Sequence, residues 1–355
     1  MERFVFVAAV AFAIIFGIVA VFGGPHWSNF NIQFEDDDGG GGTAEVLAVS
    51  PGTMAAQTFA GGELRIRNIA AIVTITPEDR TDYAVEIDNN AGQLPMPTVA
   101  ADDGRVIVDG QLRGRVRDCR RDGGASVRGY GDGDFDAAEL PHITIRAPRA
   151  VNLDRSGAGQ TNVGPSESAY VEIAGCSAIT LADVAGALEL DIAGAGDVTT
   201  GAAGSVDADI AGAGDLRLGA ISGGAEFDIS GAGNVTIASL TGNFTIDSAG
   251  ASDLSINGGA IGTAQIDMAG TGDIDIAAPV QTLNASIMGV GHVDVAGTVG
   301  DLDVDIAGPG SLTVQAVTGS MRQEIAGPGS VRVTGTTASA NPAPTNAATT
   351  STNAP

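Results

Sequence analysis

Carboxylates recur at a fixed offset from glycine through the second half of this 355-residue chain. Three positions before a glycine stand Asp154, Glu172, Asp191, Asp209, Asp228, Asp247, Asp267, Ser286, Asp305 and Glu324, so nine of ten are acidic. Three positions after it, Asp197, Asp215, Asp253 and Asp273 form a shorter set. Stacked about 5 Å apart, neighbouring carboxylates repel by ~1 kcal/mol each even at the dielectric of water. Such a ladder asks for a cation, salt or a hydrogen bond. Ca²⁺ is the candidate cofactor, since it collects roughly six to eight oxygens from carboxylates and turn carbonyls. Its candidate ligands are Asp191, Asp209, Asp228, Asp247, Asp267, Asp197, Asp215 and Asp273. The spacing matches the nonapeptide of calcium rolls only in part. The alternative is that these side chains accept bonds from turn N–H groups and face water, keeping the protein soluble.

A second constellation is basic. The segment RGRVRDCRRDGGASVRG (113–129) holds Arg113, Arg115, Arg117, Arg120, Arg121 and Arg128, six of the 17 arginines in a chain with no lysine. It reads as a contact for lipid head groups, an acidic glycan or a protein partner. The adjoining YGDGDFDAAE (130–139) offers the competing reading, a surface loop neutralised by its neighbour. Cys119 and Cys176 either pair, with about 4 kcal/mol of stabilisation in the chain-entropy account, or stay as two thiols. His26, His142 and His292 are far apart, with His292 in a turn column and expected to be exposed. Nothing in the sequence suggests a Ser-His-Asp arrangement, and no Gly-Lys-Ser/Thr follows the glycines to make a phosphate loop. A net charge of −26 argues against a nucleic-acid partner.

The elements that must carry these residues follow from the glycines. Gly157, Gly175, Gly194, Gly212, Gly231, Gly250, Gly270, Gly289, Gly308 and Gly327 are 18 to 20 residues apart, which indicates a solenoid. Two positions before them stand Ile173, Ile192, Ile210, Ile229, Met268, Ile287, Ile306 and Ile325, interrupted by Arg155 and Ser248. Four and six positions after them come further β-branched or leucine columns, such as Val198, Leu216 and Val235, then Leu218, Ile237 and Ile256. Apolar residues two apart have the strand period, so each unit is a strand, a glycine turn, a second strand and a looser return. The expected fold is all-β, a parallel β-helix of ~19-residue rungs over residues 151–333. The glycines are expected at corners that need positive φ, with small alanines between them and Pro309 and Pro328 replacing the alanine late in the array. Residues 44–150 carry alternating strands without a fixed period and read as opening rungs or a capping sheet, with a separate all-β domain as the alternative.

The ends speak to location. Residues 1–27 hold the uncharged run Phe4 to Phe22, long enough as a helix to span a bilayer and also readable as a cleaved signal. Arg3 before it and Glu35 to Asp38 after it leave the N-terminus inside and export the rest. Residues 28–43 read as an acidic, glycine-rich linker and 334–355 as a disordered Thr/Ala/Asn/Pro tail.

The IAGAGDV and IAGAGDL units, preceded by FAGGELRI and PHITIRAPRAVNLDRSGAGQTNV, resemble the autotransporter adhesin family known by its head GIN domain. The resemblance covers roughly residues 55 to 333 and implies a right-handed parallel β-helix, export from a bacterial cell and adhesion. It brings no catalytic motif, so no site residues carry over. The 22 residues after Val333 are too few for the membrane barrel of a true autotransporter, so export by that route is not expected. The expected function is an exported, membrane-anchored interaction, adhesion or structural module of the cell envelope, without catalysis. Its expected partners are the membrane, an envelope glycan or protein, and further copies of itself. The alternatives are a β-helix polysaccharide lyase or hydrolase, an envelope sensor and a calcium-binding surface module.

Overall fold

The computed structural model describes residues 46–119 and 123–335. The expected membrane or signal segment (1–27), the linker at 28–43 and all but the first two residues of the tail at 334–355 lie outside the described residues. From residue 150 onward every strand pairing is parallel and the chain winds as a β-solenoid.

The first rung is the strand Glu63–Glu78, in which Leu64, Ile66, Ile69, Ala71, Val73 and Ile75 are buried. Ala150–Val163 lies parallel to it, Leu153 beside Leu64 and Val163 beside Ile75. Later rungs repeat the arrangement in register, so that Ile173, Ile192, Ile210 and Ile229 stack in one interior column. Across the glycine corner Ile179, Val198, Leu216 and Val235 stack in another. The looser return is itself a ladder: Val184, Ala203, Ile221 and Leu240 pair in turn and are buried. Each fully buried Ile, Leu or Val contributes about 1.5–3 kcal/mol, so the stack is the main source of stability. Large and small side chains alternate where rings enter. Phe227 follows Ala208 in its column and Phe244 follows Ala225, with the two ring centroids 6.2 Å apart.

The corner glycines are required mainly for a reason other than the expected one. Gly157 does have φ 117, but Gly212 and the other central corner glycines are not in the positive-φ region. A Cβ on Gly212 would lie 2.8 Å from the N and C of Gly194 on the preceding rung, and closer still to its carbonyl oxygen. Glycine is needed there because one backbone passes directly over another.

Residues 46–150 combine a rung with a cap. Arg105–Asp109 and His142–Pro148 pair parallel with the two halves of Glu63–Glu78. Beyond them the direction reverses: Thr98–Asp102 is antiparallel to Arg105–Asp109, Asp82–Asn89 to His142–Pro148, and Gly52–Ala60 to Asp82–Asn89. Tyr83, Val85 and Ile87 thereby close the N-terminal end of the core. The excursion between Asp109 and His142 forms a three-stranded antiparallel sheet of Val116–Cys119, Ala125–Val127 and Asp134–Phe135. Its own small core, built on Leu112, Val127, Tyr130, Phe135 and Leu140, sits on Ala70 and Ala158 of the first two rungs.

Candidate interaction surface

Strand alternation fixes where the acidic columns go. The residue beside each buried isoleucine must point outward, and Asp154, Glu172, Asp191, Asp209, Asp228, Asp247 and Asp267 are successive register partners on one outer face. Two residues earlier on the same face Glu189, Asp207 and Glu226 form a second ladder. The carboxyls of Glu172, Asp209, Asp228 and Asp247 are raised above their usual range, first by partial burial and then by repulsion from acidic neighbours. Two positions near the N-terminal end of this ladder are relieved. The Arg65 guanidinium lies 2.7 Å from Asp154, and the Tyr170 hydroxyl donates to Asp191 at 2.6 Å, which raises the phenol.

The turn column behaves differently. Asp197 accepts the Asp215 N–H at 3.2 Å and Asp253 accepts the Asp273 N–H at 2.9 Å, each tying its rung to the next. Asp215 accepts from the Asn234 amide and from Arg217, both at 2.9 Å, and its carboxyl is held low, chiefly by Asn234. Asp183 and Asp301 do the same at two other turns, capping Ala202 and Ser320. His292 is half-buried rather than exposed, its Nδ1 2.8 Å from the Ser311 hydroxyl of the following rung.

The eight candidate calcium ligands therefore fall into two ladders on either side of the glycine corner. Within a ladder the rungs supply one carboxylate each, about 4.8 Å apart, and not a convergent cage. Among the described residues no group of three or more His, Cys, Asp or Glu is placed to hold a metal.

The arginine segment lies on the small sheet that rides on the first rungs. Cys119 is joined to Cys176 by a disulfide with Cα atoms 5.4 Å apart, so the sheet is tied to the next corner of the solenoid. Arg113, Arg117 and Arg128 are exposed, and Arg115 is half-buried with Nη1 3.5 Å from the Arg128 carbonyl. Arg120 and Arg121 lie outside the described residues. The neighbouring acids are partly engaged elsewhere. Asp134 accepts from the Ser126 hydroxyl at 2.5 Å, and Glu139 accepts the Asp136 N–H at 2.9 Å. Among the described residues, no ion pair within 4.0 Å joins Arg113, Arg117 or Arg128 to a carboxylate.

Sequence reasoning passed over one group. Arg155 occupies the isoleucine column and is fully buried, with no carboxylate partner among the described residues. Its guanidinium donates to the Ser156 and Ala158 carbonyls, each at 2.6 Å, and to the Thr161 hydroxyl at 3.2 Å. Burial lowers its pKa to about 10. The signal was the break in the column itself, since an arginine at an interior strand position must bring its acceptors with it.

The solved structures to which this chain is similar include the following three. A protein described as a "putative adhesin" from Parabacteroides distasonis is 15% identical, with TM-score 0.40, and the match covers 81% of this chain and 99% of that one. A "putative adhesin" from Parabacteroides merdae is 13% identical, with TM-score 0.35, over 78% and 95% of the two chains. A "putative lipid binding protein" from Parabacteroides distasonis is 15% identical, with TM-score 0.37, over 81% and 99%. No curated protein matches the chain. Residues 225–337 match the family model described as "Putative auto-transporter adhesin, head GIN domain", which is the family that the glycine-cornered repeats resemble.

Proposed function

We propose that this chain is an exported adhesion-type module of a bacterial envelope, anchored by Phe4 to Phe22, whose arginine-bearing insert holds an acidic glycan. The observation that carries the reading is the trio Arg113, Arg117 and Arg128, exposed on and beside a small sheet that a disulfide ties to the solenoid. A guanidinium presents a planar fork that matches a carboxylate in two places, so several on a fixed support favour a uronate-bearing polymer. The rest of the surface supports the same division of labour. Its acidic ladders repel a polyanion and leave the insert as the place where one can settle. The repeats present the same residue rung after rung, which suits a scaffold more than a single reaction centre.

The test is retention of the full chain, in detergent, on immobilised polygalacturonate. The wild type is expected to elute with added salt, and the variant R113A/R117A/R128A to pass through. Equal retention of the two would overturn the assignment of the insert. Cleavage of the polymer by the wild type would replace the module with an enzyme.

A further inference from the structure

The two ends of the solenoid are finished differently. At the N-terminal end three antiparallel strands cover the core, and the outermost, Gly52–Ala60, carries a register break between Met54 and Gln57 that spoils it as a template for another strand. At the other end Met321–Ala326 and Ser330–Val333 form the last rung, which among the described residues pairs on one side only: with Leu302–Ala307 and with Ser311–Val314. Its inward positions are those of the core. Met321, Gln323 and Ile325 continue the columns of Leu302, Val304 and Ile306, yet Ile325 is 39% exposed where Ile306 is 1%. Val331 and Val333 are likewise only half-buried.

The sequence that follows brings no large apolar side chain to such a layer. Positions 336–355 hold no apolar side chain other than Ala and Pro, and Pro342 and Pro344 could not donate ladder bonds. The sequence of the last strand fits itself. In an antiparallel pair about Gln323, Arg322 of each copy lies opposite Glu324 of the other, and Met321 lies opposite Ile325. Charges then oppose on the outer face and apolar side chains on the inner face, with both Gln323 side chains at the centre.

We infer that the C-terminal end of the solenoid docks on the same end of a second copy, with Met321–Ala326 pairing antiparallel about Gln323. The result is a closed two-fold dimer, because the capped N-terminal ends offer no surface for further addition. The geometry gives a direct assay, since Cys119 and Cys176 are already bonded and no free thiol competes. Opposed residues in an antiparallel pair have Cα atoms about 4.5–5.5 Å apart, within disulfide reach, whereas residue 321 would stand ~14 Å from its own copy.

The full chain in detergent, carrying Gln323→Cys, is expected to oxidise to a covalent dimer in at least about tenfold higher yield than Met321→Cys. Adding Arg322→Glu is expected to abolish that dimer, and the exchange R322E/E324R to restore it. Removing residues 336–355 should leave the yield unchanged. Equal yields at 321 and 323, or failure of the charge exchange, would overturn the inference. A dimer that forms only after removal of 336–355 would show that this segment is the true cover and would overturn it equally.

Discussion

Replacing Gly212 with alanine probes the corner on which the stacking depends. A Cβ there lies 2.8 Å from the N and C of Gly194, well short of the roughly 3.4–4.0 Å of an ordinary contact. The two corners must therefore part by about 1 Å. The bonds that hold them, Ala211 N–H to Ile192 at 2.8 Å and Ala213 N–H to Gly194 at 2.9 Å, lengthen together. Weakening two ladder bonds costs about 1–2 kcal/mol and overpacking a further ~1–3 kcal/mol. The lower entropy of the unfolded alanine chain returns at most about 1 kcal/mol. The expected net loss is about 1–4 kcal/mol. Gly258→Ala is the matched control: its φ is not positive and the nearest atom to its Cβ would be the Ala238 oxygen at 3.9 Å, so its effect should lie within ~1 kcal/mol of zero. Urea unfolding followed by circular dichroism, together with hydrogen exchange at rungs 192–231, measures both. If Gly212→Ala unfolds within 0.5 kcal/mol of the wild type (a bound set by the roughly ±0.5 of ordinary surface substitutions), the close-approach argument fails.

Four further outcomes are expected. Arg155→Met leaves the Ser156 and Ala158 carbonyls without their donor and should cost about 2–4 kcal/mol, measured by the same unfolding; a stabilised variant would mean that desolvation of the charge outweighs its three bonds. The raised carboxyls of Asp154, Glu172, Asp209, Asp228 and Asp247 bind more protons folded than unfolded, so stability should rise as pH falls from 7 toward about 5. Asp215 and Asp301 are held low, so their contribution is lost only below about pH 4; a melting temperature that falls steadily from pH 7 to 5 would contradict this balance. Millimolar Ca²⁺ should move the melting temperature no more than Mg²⁺ does, and a large saturable shift specific to Ca²⁺ would mean that the ladders coordinate it through added water or a second chain. Removing the disulfide as C119S/C176S should lower stability by up to about 4 kcal/mol and loosen hydrogen exchange first in residues 111–135, whereas an unchanged exchange pattern would show that the small core alone holds the insert.

The solenoid could be read along the chain because a strand alternates every two residues and the glycines punctuate every rung. Ile173 over Ile192, and Asp209 over Asp228, follow from spacing alone. What one dimension hides is approach between rungs. The demand on Gly212 comes from the Gly194 carbonyl, 18 residues away in sequence, and not from its own φ. The turn aspartates were visible as a column, but that Asp253 caps the Asp273 N–H depends on the offset between stacked turns. The cap was harder to read because its strands reverse direction: the run around Asp82–Asn89 alternates like any other, and only its antiparallel partner His142–Pro148 separates a cap from a rung. The arginine segment was legible as chemistry, while which of its arginines face solvent, Arg113, Arg117 and Arg128 among them, depends on how the small sheet folds.

The proposed contact is tested most directly by the hydrogen-exchange footprint of the full chain with and without polygalacturonate. Added protection should fall on residues 111–135 and spare the acidic face between Leu188 and Met268. Protection along that face, or none anywhere, would contradict the assignment of the arginine insert as the place where this module holds its partner.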